Sequence, residues 1–283
     1  MRFMSYVSPT GASFGLTDGK TVIDLGIRSG LCLKGALLRG QLTELGARYA
    51  NAPADYRIDE VGFLPVVPMP GKIICVGLNY LEHRREGGHA EEASAPPLFT
   101  RYPQSQVGHL QPMVIPQESD ALDFEAEIAV VIGAAGRRIK RENAMAHIAG
   151  ISAYNDGSVR DWQLATSQWT PGKNFPATGG FGPWLVTPDE TSLEKPLRLI
   201  CRLNGEEMQN ASTDLMMFDV PSQIAHISTF VTLEPGDVIV TGTPGGVGHR
   251  RDPKLYMKHG DMVEIEVEGV GVLRNPVVKE AQP

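Results

Sequence analysis

The chain has 283 residues, 42% hydrophobic and 21% charged, which is enough to bury the core of one large domain or of a large and a small one. Its formal net charge of −7 is spread along the chain, so nucleic acid and an anionic membrane, which both need a basic face, are excluded as expected partners. Three scattered cysteines without CxxC spacing favour a reducing cytoplasm over a disulfide framework.

The amino-terminal part of the chain predicts a small domain over residues 1–65. Its first residues lack the apolar segment of a signal peptide, and no apolar run approaches the roughly 20 residues of a membrane helix, so we expect a cytoplasmic protein. Three prolines and a glycine within 64–71 predict a stiff connector. The larger domain is therefore expected over residues 66–283.

Runs of β-branched residues outnumber helical patterns along the chain. Strands are expected over 13–16 and 20–25, joined by an Asp18–Gly19 turn, and over 72–76, 126–132, 197–203, 238–241 and 262–267. Helices are expected over 33–49, 141–148, 159–168 and 220–228. Because strands and long helices do not alternate, a doubly wound parallel sheet is not expected. The pattern predicts a mostly β, antiparallel architecture with short helices, an α+β fold.

Two glutamates, Glu125 and Glu127, begin the apolar strand pattern at 126–132. Side chains alternate along a strand, so both point to one face, which continues with Ala129 and Val131. Two like charges leading into a buried face repel and lose hydration, and a divalent cation would neutralise them. Oxygen ligands favour magnesium, manganese or calcium over zinc. Taken alone, the segment leaves open an edge strand with both glutamates solvated.

Asp156 ends an apolar stretch and is followed by a glycine and a helical pattern. A carboxylate in this place is either a ligand or a helix cap, and the position alone favours the cap. Arg160 and Gln163 follow on one helix face and would reach toward whatever Asp156 binds.

His83 and Glu86 stand three residues apart in a predicted helical turn. A hydrogen bond between them would fix the imidazole tautomer and raise its basicity, as a general base requires. The alternative is an ordinary surface pair. The two glycines that follow allow a flexible continuation, and we expect residues 88–96, with His89, to form a lid that selects the substrate.

Two loops add further candidates. Lys173 follows a proline–glycine turn, and residues 241–248 form a glycine-rich loop that includes Thr243. This loop lacks the lysine and the following serine or threonine of a P-loop, so a nucleotide site is not indicated. Its backbone N–H groups could still bind a carboxylate.

In chain order, these segments resemble the fumarylacetoacetate hydrolase family. The matching pieces cover about residues 70–275 and read GLNYLEH with Glu86, DFEAEIAVVIG, NDGSVRDWQ, TPGKNF with FGPWLVT, LNGEEMQ, LEPGDVIVTGTPGGVG and GDMVEIEVEGVG. Each piece is only moderately specific, but the ordered set is hard to obtain by chance.

The resemblance implies a distorted β-roll or β-sandwich core, one Mg²⁺ or Mn²⁺ per subunit, and a homodimer. It assigns the residues as follows: metal ligands Glu125, Glu127 and Asp156, water-activating dyad His83 and Glu86, catalytic lysine Lys173, and substrate contacts Arg160, Gln163 and Thr243. We add Arg101 to the substrate contacts, because arginines bind carboxylates and the expected substrate is a small oxo-acid.

The implied activity is hydrolysis of a carbon–carbon bond in an acylpyruvate-like or 2,4-diketo acid, as in aromatic or sugar-acid catabolism. His83 would activate a water molecule that attacks the distal carbonyl. One fragment of the substrate would then leave as an enolate stabilised by the ion and Lys173. The alternative is a decarboxylase or an isomerase of a related 2-oxo-diacid such as oxaloacetate, which would share every ligand. A metal-binding module without catalysis would lack the base or the lysine, and both are present. The intact His83–Glu86 pair favours the hydrolase.

Overall fold

The computed structural model describes residues 1–90 and 92–281. Glu91, which belongs to the expected lid segment, and residues 282 and 283 lie outside the described residues. Within the described part of the chain, no helix is both long enough and apolar enough to cross a bilayer.

Strands dominate the structure, as the sequence predicts. They are β1 Arg2–Ser8, β2 Gly11–Thr17, β3 Thr21–Asp24, β4 Tyr56–Arg57, β5 Gly62–Phe63, β6 Ile73–Val76, β7 Leu98–Thr100, β8 Gln106–Val107, β9 Met113–Ile115, β10 Leu122–Asp123, β11 Ala126–Ile132, β12 Ile148–Asp156, β13 Ser158–Val159, β14 Gly179–Val186, β15 Arg198–Leu203, β16 Glu206–Ser212, β17 Val238–Val240, β18 Met262–Val267 and β19 Gly271–Lys279. The expected strands are present, and the mostly β fold with short helices is confirmed.

The helices are short. They are α1 Leu25–Ser29, α2 Leu33–Leu38, α3 Leu42–Tyr49, α4 Leu81–Glu86, α5 Arg160–Gln163, α6 Thr170–Lys173 and α7 Val220–Phe230, with 3₁₀ turns at Ile58–Glu60, Pro103–Ser105, Arg141–His147, Thr213–Leu215 and Gly248–Arg250. The helix predicted over 159–168 is therefore wrong beyond Gln163, and the one predicted over 141–148 is a 3₁₀ turn.

One helix prediction fails for a clear reason. The segment 33–49 forms two helices, because Gly40 between them takes a φ of 64°, in the left-handed region where an α-helix cannot continue. By contrast, α7 begins where its sequence predicts: the Asp219 side chain accepts the Ser222 N–H at 2.9 Å, and Pro221 follows in the first turn.

The strands form two main sheets and a two-stranded ribbon, β10–β13. The larger sheet runs β4-β3-β2-β1-β14-β12-β11-β17-β6-β7, with β5 added to β1 and β8 to β14, and the smaller runs β16-β15-β18-β19-β9. Most neighbours are antiparallel, the parallel pairs among described strands being β8–β14, β6–β17 and β9–β19. Because β1 pairs with β14, hydrogen bonding is continuous from the amino-terminal part into the larger sheet. The domain division at residues 65 and 66 stays a prediction.

β11 lies at the centre of the larger sheet and carries the acidic pair at its start. Its Ile128, Val130 and Ile132 enter one apolar core, whereas Ala129 and Val131 enter another on the opposite face. Full burial of each large aliphatic side chain contributes roughly 1.5–3 kcal/mol. Such a strand is held rigidly in place, and it fixes the direction in which its polar end points.

Candidate metal centre and active-site cleft

Three buried carboxylates meet where β11 begins and β12 ends. The Asp156 N–H donates to the Glu125 carbonyl at 2.9 Å, which sets the two residues opposite each other across the strands. One oxygen from each of Glu125, Glu127 and Asp156 lies within 4.8 Å of the others. β11 pairs with β12 on one side and β17 on the other. The alternative of an edge strand with solvated glutamates is therefore wrong.

Three buried cations hold two of these carboxylates, Glu125 and Asp156. The Lys173 Nζ lies 2.7 Å from Glu125 Oε2 and 2.7 Å from Asp156 Oδ2. An Arg160 NH1 group lies 2.8 Å from Glu125 Oε1, and an Arg101 NH1 group lies 2.6 Å from Asp156 Oδ1. Asp156 thus bonds to cations and does not cap α5, whose amino-terminal cap Val159 offers no side-chain bond. The helix-cap interpretation of Asp156 is wrong.

The cations do not serve the three carboxylates equally. Burial would raise the pKa of Glu125, but the charges of Lys173 and Arg160 overcome it and hold that pKa at about 2. Burial and then the negative charges of Asp156 and Glu125 raise the pKa of Glu127 well above its usual value. Among the described residues, its hydrogen bond comes from the Gly242 N–H. Of the three, Glu127 is the carboxylate that forms no ion pair with a cation in the described part of the chain.

The residues present fit a divalent ion. Their ligand atoms are oxygens from three carboxylates, the set that magnesium and manganese prefer. A divalent ion beside Glu127 would supply the positive partner that this carboxylate does not have among the described residues. The ion would offset the repulsion from the negative charges of Asp156 and Glu125. The structure therefore brings together the three ligands expected from the sequence, Glu125, Glu127 and Asp156, at one point on one face of the sheet.

The glycine-rich loop binds carboxylates, as its sequence suggests, but they are the protein's own. Its Gly242 N–H donates to Glu127 Oε2, its Gly246 N–H to Glu86 Oε1 at 2.8 Å, and its Gly248 N–H to an Asp123 oxygen at 2.9 Å. Gly242 has a φ of 102°, and a Cβ there would lie 2.6 Å from the Asn79 Cβ. Only glycine lets the loop approach Glu127 in this way.

Asp123 is a site residue to which the sequence analysis gave no role. Its fully buried carboxylate accepts backbone N–H groups of Gly248 and His249, at 2.9 Å each, and the Arg160 Nε at 2.8 Å. Asp123 stands two residues before Glu125, so the same alternation that singled out the glutamates could have found it. It ties the arginine to the loop.

His83 and Glu86 lie together on α4 without the expected hydrogen bond. The His83 Nδ1 is 3.6 Å from Glu86 Oε2, too long for one, and has no hydrogen-bond partner among the described residues. The other Glu86 oxygen accepts the Gly246 N–H. Burial would raise the pKa of Glu86, but the His83 side chain and this N–H lower it. Glu86 therefore fastens α4 to the glycine loop.

A cleft of about 580 Å³, its open mouth included, joins these groups. The expected site residues that line it are His83, Glu125, Glu127, Arg160, Gln163, Lys173 and Thr243. The Arg160 NH1 donates to Gln163 Oε1 at 2.8 Å, and Thr243 Oγ1 accepts from Gln209, whose own Oε1 accepts the Ala126 N–H. Gln209 was also missed, and it links the loop to β11.

Arg101 does not lie where its expected role requires. It is buried outside the residues that line the cleft, behind Asp156, with further hydrogen bonds to Ser105 Oγ and Thr178 Oγ1. Its position makes it a support for the Asp156 carboxylate, and contact with a substrate would need it to leave that pair.

Comparison with known proteins places the chain. Residues 72–278 match the family model described as fumarylacetoacetate (FAA) hydrolase C-terminal. The chain is 44% identical over 221 residues to the Homo sapiens protein named oxaloacetate tautomerase FAHD2A, mitochondrial, covering 77% of this chain and 70% of that protein.

Two solved structures share the fold. A fumarylacetoacetate hydrolase from Exiguobacterium antarcticum is 33% identical with a TM-score of 0.87, covering 99% of this chain and 100% of that one. A maleylpyruvate hydrolase from Sphingobium sp. SYK-6, in complex with manganese(II) ion and pyruvate, is 25% identical with a TM-score of 0.82, at the same coverages. The chain belongs to the fumarylacetoacetate hydrolase family.

Proposed function

We propose that this chain is a divalent-metal-dependent tautomerase that interconverts the enol and keto forms of oxaloacetate or a closely related 2-oxo-dicarboxylate. This is the isomerase alternative of the sequence analysis. The observation that carries it is the 44% identity to a protein named oxaloacetate tautomerase, over 77% of this chain. The joined cleft, with its fixed cations and one unbonded histidine nitrogen, is suited to proton movement.

The reaction requires only two proton transfers. One proton leaves the enol oxygen and one joins the neighbouring carbon, so no water is consumed and no carbon–carbon bond breaks. Glu125, Glu127 and Asp156 would hold the ion, and Gln163, Thr243 and Arg160 line the cleft where the oxo-acid would bind. A bound divalent ion would polarise the two oxygens of the 2-oxo acid.

Side chains of the protein would stabilise the developing charge and carry the proton. Burial lowers the pKa of Lys173, but Asp156 and Glu125 overcome it and raise that pKa, so the ammonium serves as a fixed positive charge beside the reacting oxygen. His83 lines the cleft, and its Nδ1 has no hydrogen-bond partner within the described ranges, so we assign the moving proton to its imidazole. Glu86, 3.6 Å away and bonded to Gly246, places a fixed carboxylate beside the imidazole.

Hydrolysis of an acylpyruvate-like substrate is the second candidate, favoured by the His83–Glu86 pair beside the cleft. A relative of the same fold is named maleylpyruvate hydrolase. Hydrolysis needs a base that activates water, whereas tautomerisation needs only a proton carrier. The homodimer and the cytoplasmic location stay predictions.

Product analysis by NMR separates the candidates. With magnesium or manganese present, the purified protein would be incubated with enol-oxaloacetate and, separately, with an acylpyruvate. We expect faster formation of keto-oxaloacetate, with no acid products and no release of carbon dioxide beyond the background, and loss of the acceleration in His83→Gln. Two acids formed from the acylpyruvate would instead support the hydrolase, and carbon dioxide the decarboxylase. No reaction with any substrate would favour a metal-binding module.

A further inference from the structure

One cation in the cleft has no partner among the described residues. Arg250 lines the cleft and is exposed at its mouth, at the end of the 3₁₀ turn that follows the glycine loop. Its guanidinium forms no hydrogen bond or ion pair with any residue in the ranges 1–90 and 92–281, although its charge helps to lower the pKa of Glu86. Arg160 and Lys173, in the same cleft, are both bonded to buried carboxylates.

The buried charges below the mouth can be balanced. Four carboxylates, those of Asp123, Glu125, Glu127 and Asp156, face three cations, Arg101, Arg160 and Lys173. One negative charge is left over, and a divalent ion would turn it into one positive charge. That single charge matches the carboxylate of a 2-oxo-acid head group. A second carboxylate on the substrate would need a cation elsewhere.

The other groups at the mouth do not supply that cation. Burial and the charges of Arg84 and Arg250 lower the pKa of His89, and burial and Arg160 lower that of His249. The lowered pKa values disfavour the protonated, positively charged form of both rings. The His249 Nδ1 is also engaged with the Tyr256 hydroxyl at 2.8 Å. Among the described residues that line the mouth, this leaves Arg250 as the free positive charge.

We propose that Arg250 forms a subsite for the second carboxylate of the substrate and so makes the enzyme selective for 2-oxo-dicarboxylates over 2-oxo-monocarboxylates. The inference rests on the proposed function for its substrate class. A guanidinium binds a carboxylate through two parallel N–H groups, which gives direction as well as charge. Because Arg250 is exposed at the mouth, it would contact the second carboxylate last, after the head group has entered the cleft.

A pair of inert ligands tests this subsite without turnover. N-oxalylglycine and N-methyloxamate share an oxamate head group, and only the first carries a second carboxylate. Their dissociation constants would be measured by calorimetry on the manganese-loaded protein. We expect N-oxalylglycine to bind about 10-fold more tightly, since a charge-assisted hydrogen-bonded pair contributes about 1.4 kcal/mol or more.

Variants then locate the effect. In Arg250→Gln the preference for N-oxalylglycine should vanish while the affinity for N-methyloxamate stays unchanged, and Arg250→Lys should restore part of the preference. Arg137→Gln removes an exposed arginine beyond the far end of β11 and should behave as the unmodified protein. Equal binding of the two ligands by the unmodified protein, or a preference that survives in Arg250→Gln, overturns the subsite.

Failure of the proposed function and failure of the subsite give different results. A protein that prefers N-oxalylglycine through Arg250 but does not accelerate the tautomerisation of oxaloacetate keeps the subsite and loses the tautomerase. Acceleration of oxaloacetate tautomerisation without an Arg250-dependent preference keeps the activity and loses the subsite.

Discussion

Asp123 holds Arg160 through a single carboxylate oxygen: the arginine Nε and NH2 both lie 2.8 Å from Oδ2. The same carboxylate receives the backbone N–H groups of Gly248 and His249. The arginine that contacts Glu125 and the loop that contacts Glu127 are thus fixed by one side chain. Neither element can shift without moving the other.

Asp123→Asn should therefore damage both folding and activity. The amide removes one of the two buried carboxylates that pair with Arg160 and leaves Glu125 alone, which we expect to lower the free energy of unfolding by about 3 kcal/mol. Loss of this support should lower kcat/KM by about 10- to 100-fold. Denaturant unfolding and steady-state assays on the folded fraction would measure the two effects.

Asp120→Asn is the matched control, because that carboxylate is highly exposed and its ion pair among the described residues is with Lys279 at the surface. It should change neither quantity by a measurable amount. Equal behaviour of the two variants would show that the Asp123 network is dispensable.

Glu127→Gln should leave the ion-free protein at least as stable and should weaken its response to metal. The substitution removes a buried charge that faces Asp156 and Glu125, so the ion-free melting temperature should stay level or rise. Manganese should raise the melting temperature of the unmodified protein, because it binds only the folded state, and should do so far less for the variant. Calorimetric scans with and without manganese would measure both. Glu206→Gln, at an exposed strand end, is the control, and a metal response retained by Glu127→Gln would contradict the ligand assignment.

Gly242→Ala should cost more than the same change at Gly260. Both glycines have positive φ, 102° and 92°, so alanine at either is strained by about 1 kcal/mol. A methyl group at Gly260 meets no atom within 4 Å, whereas at Gly242 it would lie 2.6 Å from the Asn79 Cβ. We therefore expect a larger loss of unfolding free energy at Gly242, together with weaker manganese binding, because the N–H on Glu127 is displaced. Equal losses in the two variants would mean that the loop adapts.

His109 should make stability depend on pH. Burial and the charge of Arg274 lower its pKa to about 4, and its Nδ1 accepts the Arg274 N–H at 3.0 Å, which only the unprotonated nitrogen can do. Between pH 4 and the unfolded value near 6.5 the unfolded chain binds the extra proton. Unfolding free energy should therefore fall as pH drops through this window, by roughly 2–3 kcal/mol in total from this group.

The difference between the unmodified protein and His109→Asn isolates that contribution, since the Asn oxygen can accept the same N–H and does not titrate. We expect the variant to show a shallower fall between pH 6.5 and 4, while His226→Asn, on the exposed face of α7, keeps the original slope. Parallel curves for all three proteins would refute the role of His109.

The sequence predicted what depends on spacing along one strand. Glu125 and Glu127 share a face because alternation is local, and Asp156 was found because it ends a strand. Pairing between distant segments was not predictable in this way. Arg101 bonds to Asp156 from 55 residues away and Asp123 to Arg160 from 37, and only the packing of the sheets decides such partners. The helix break at Gly40 could have been predicted, because the backbone conformation of a glycine is a local property.

The rate at which enol-oxaloacetate disappears, followed by ultraviolet absorbance with manganese present, tests the central claim most directly. The unmodified protein should accelerate the loss well above the uncatalysed rate, and chelation or Glu125→Gln should return it to that rate, because the metal centre would be lost while Glu206→Gln stays fully active. An acceleration that survives both chelation and the loss of Glu125, or no acceleration by the unmodified protein, would contradict a metal-dependent tautomerase at this site.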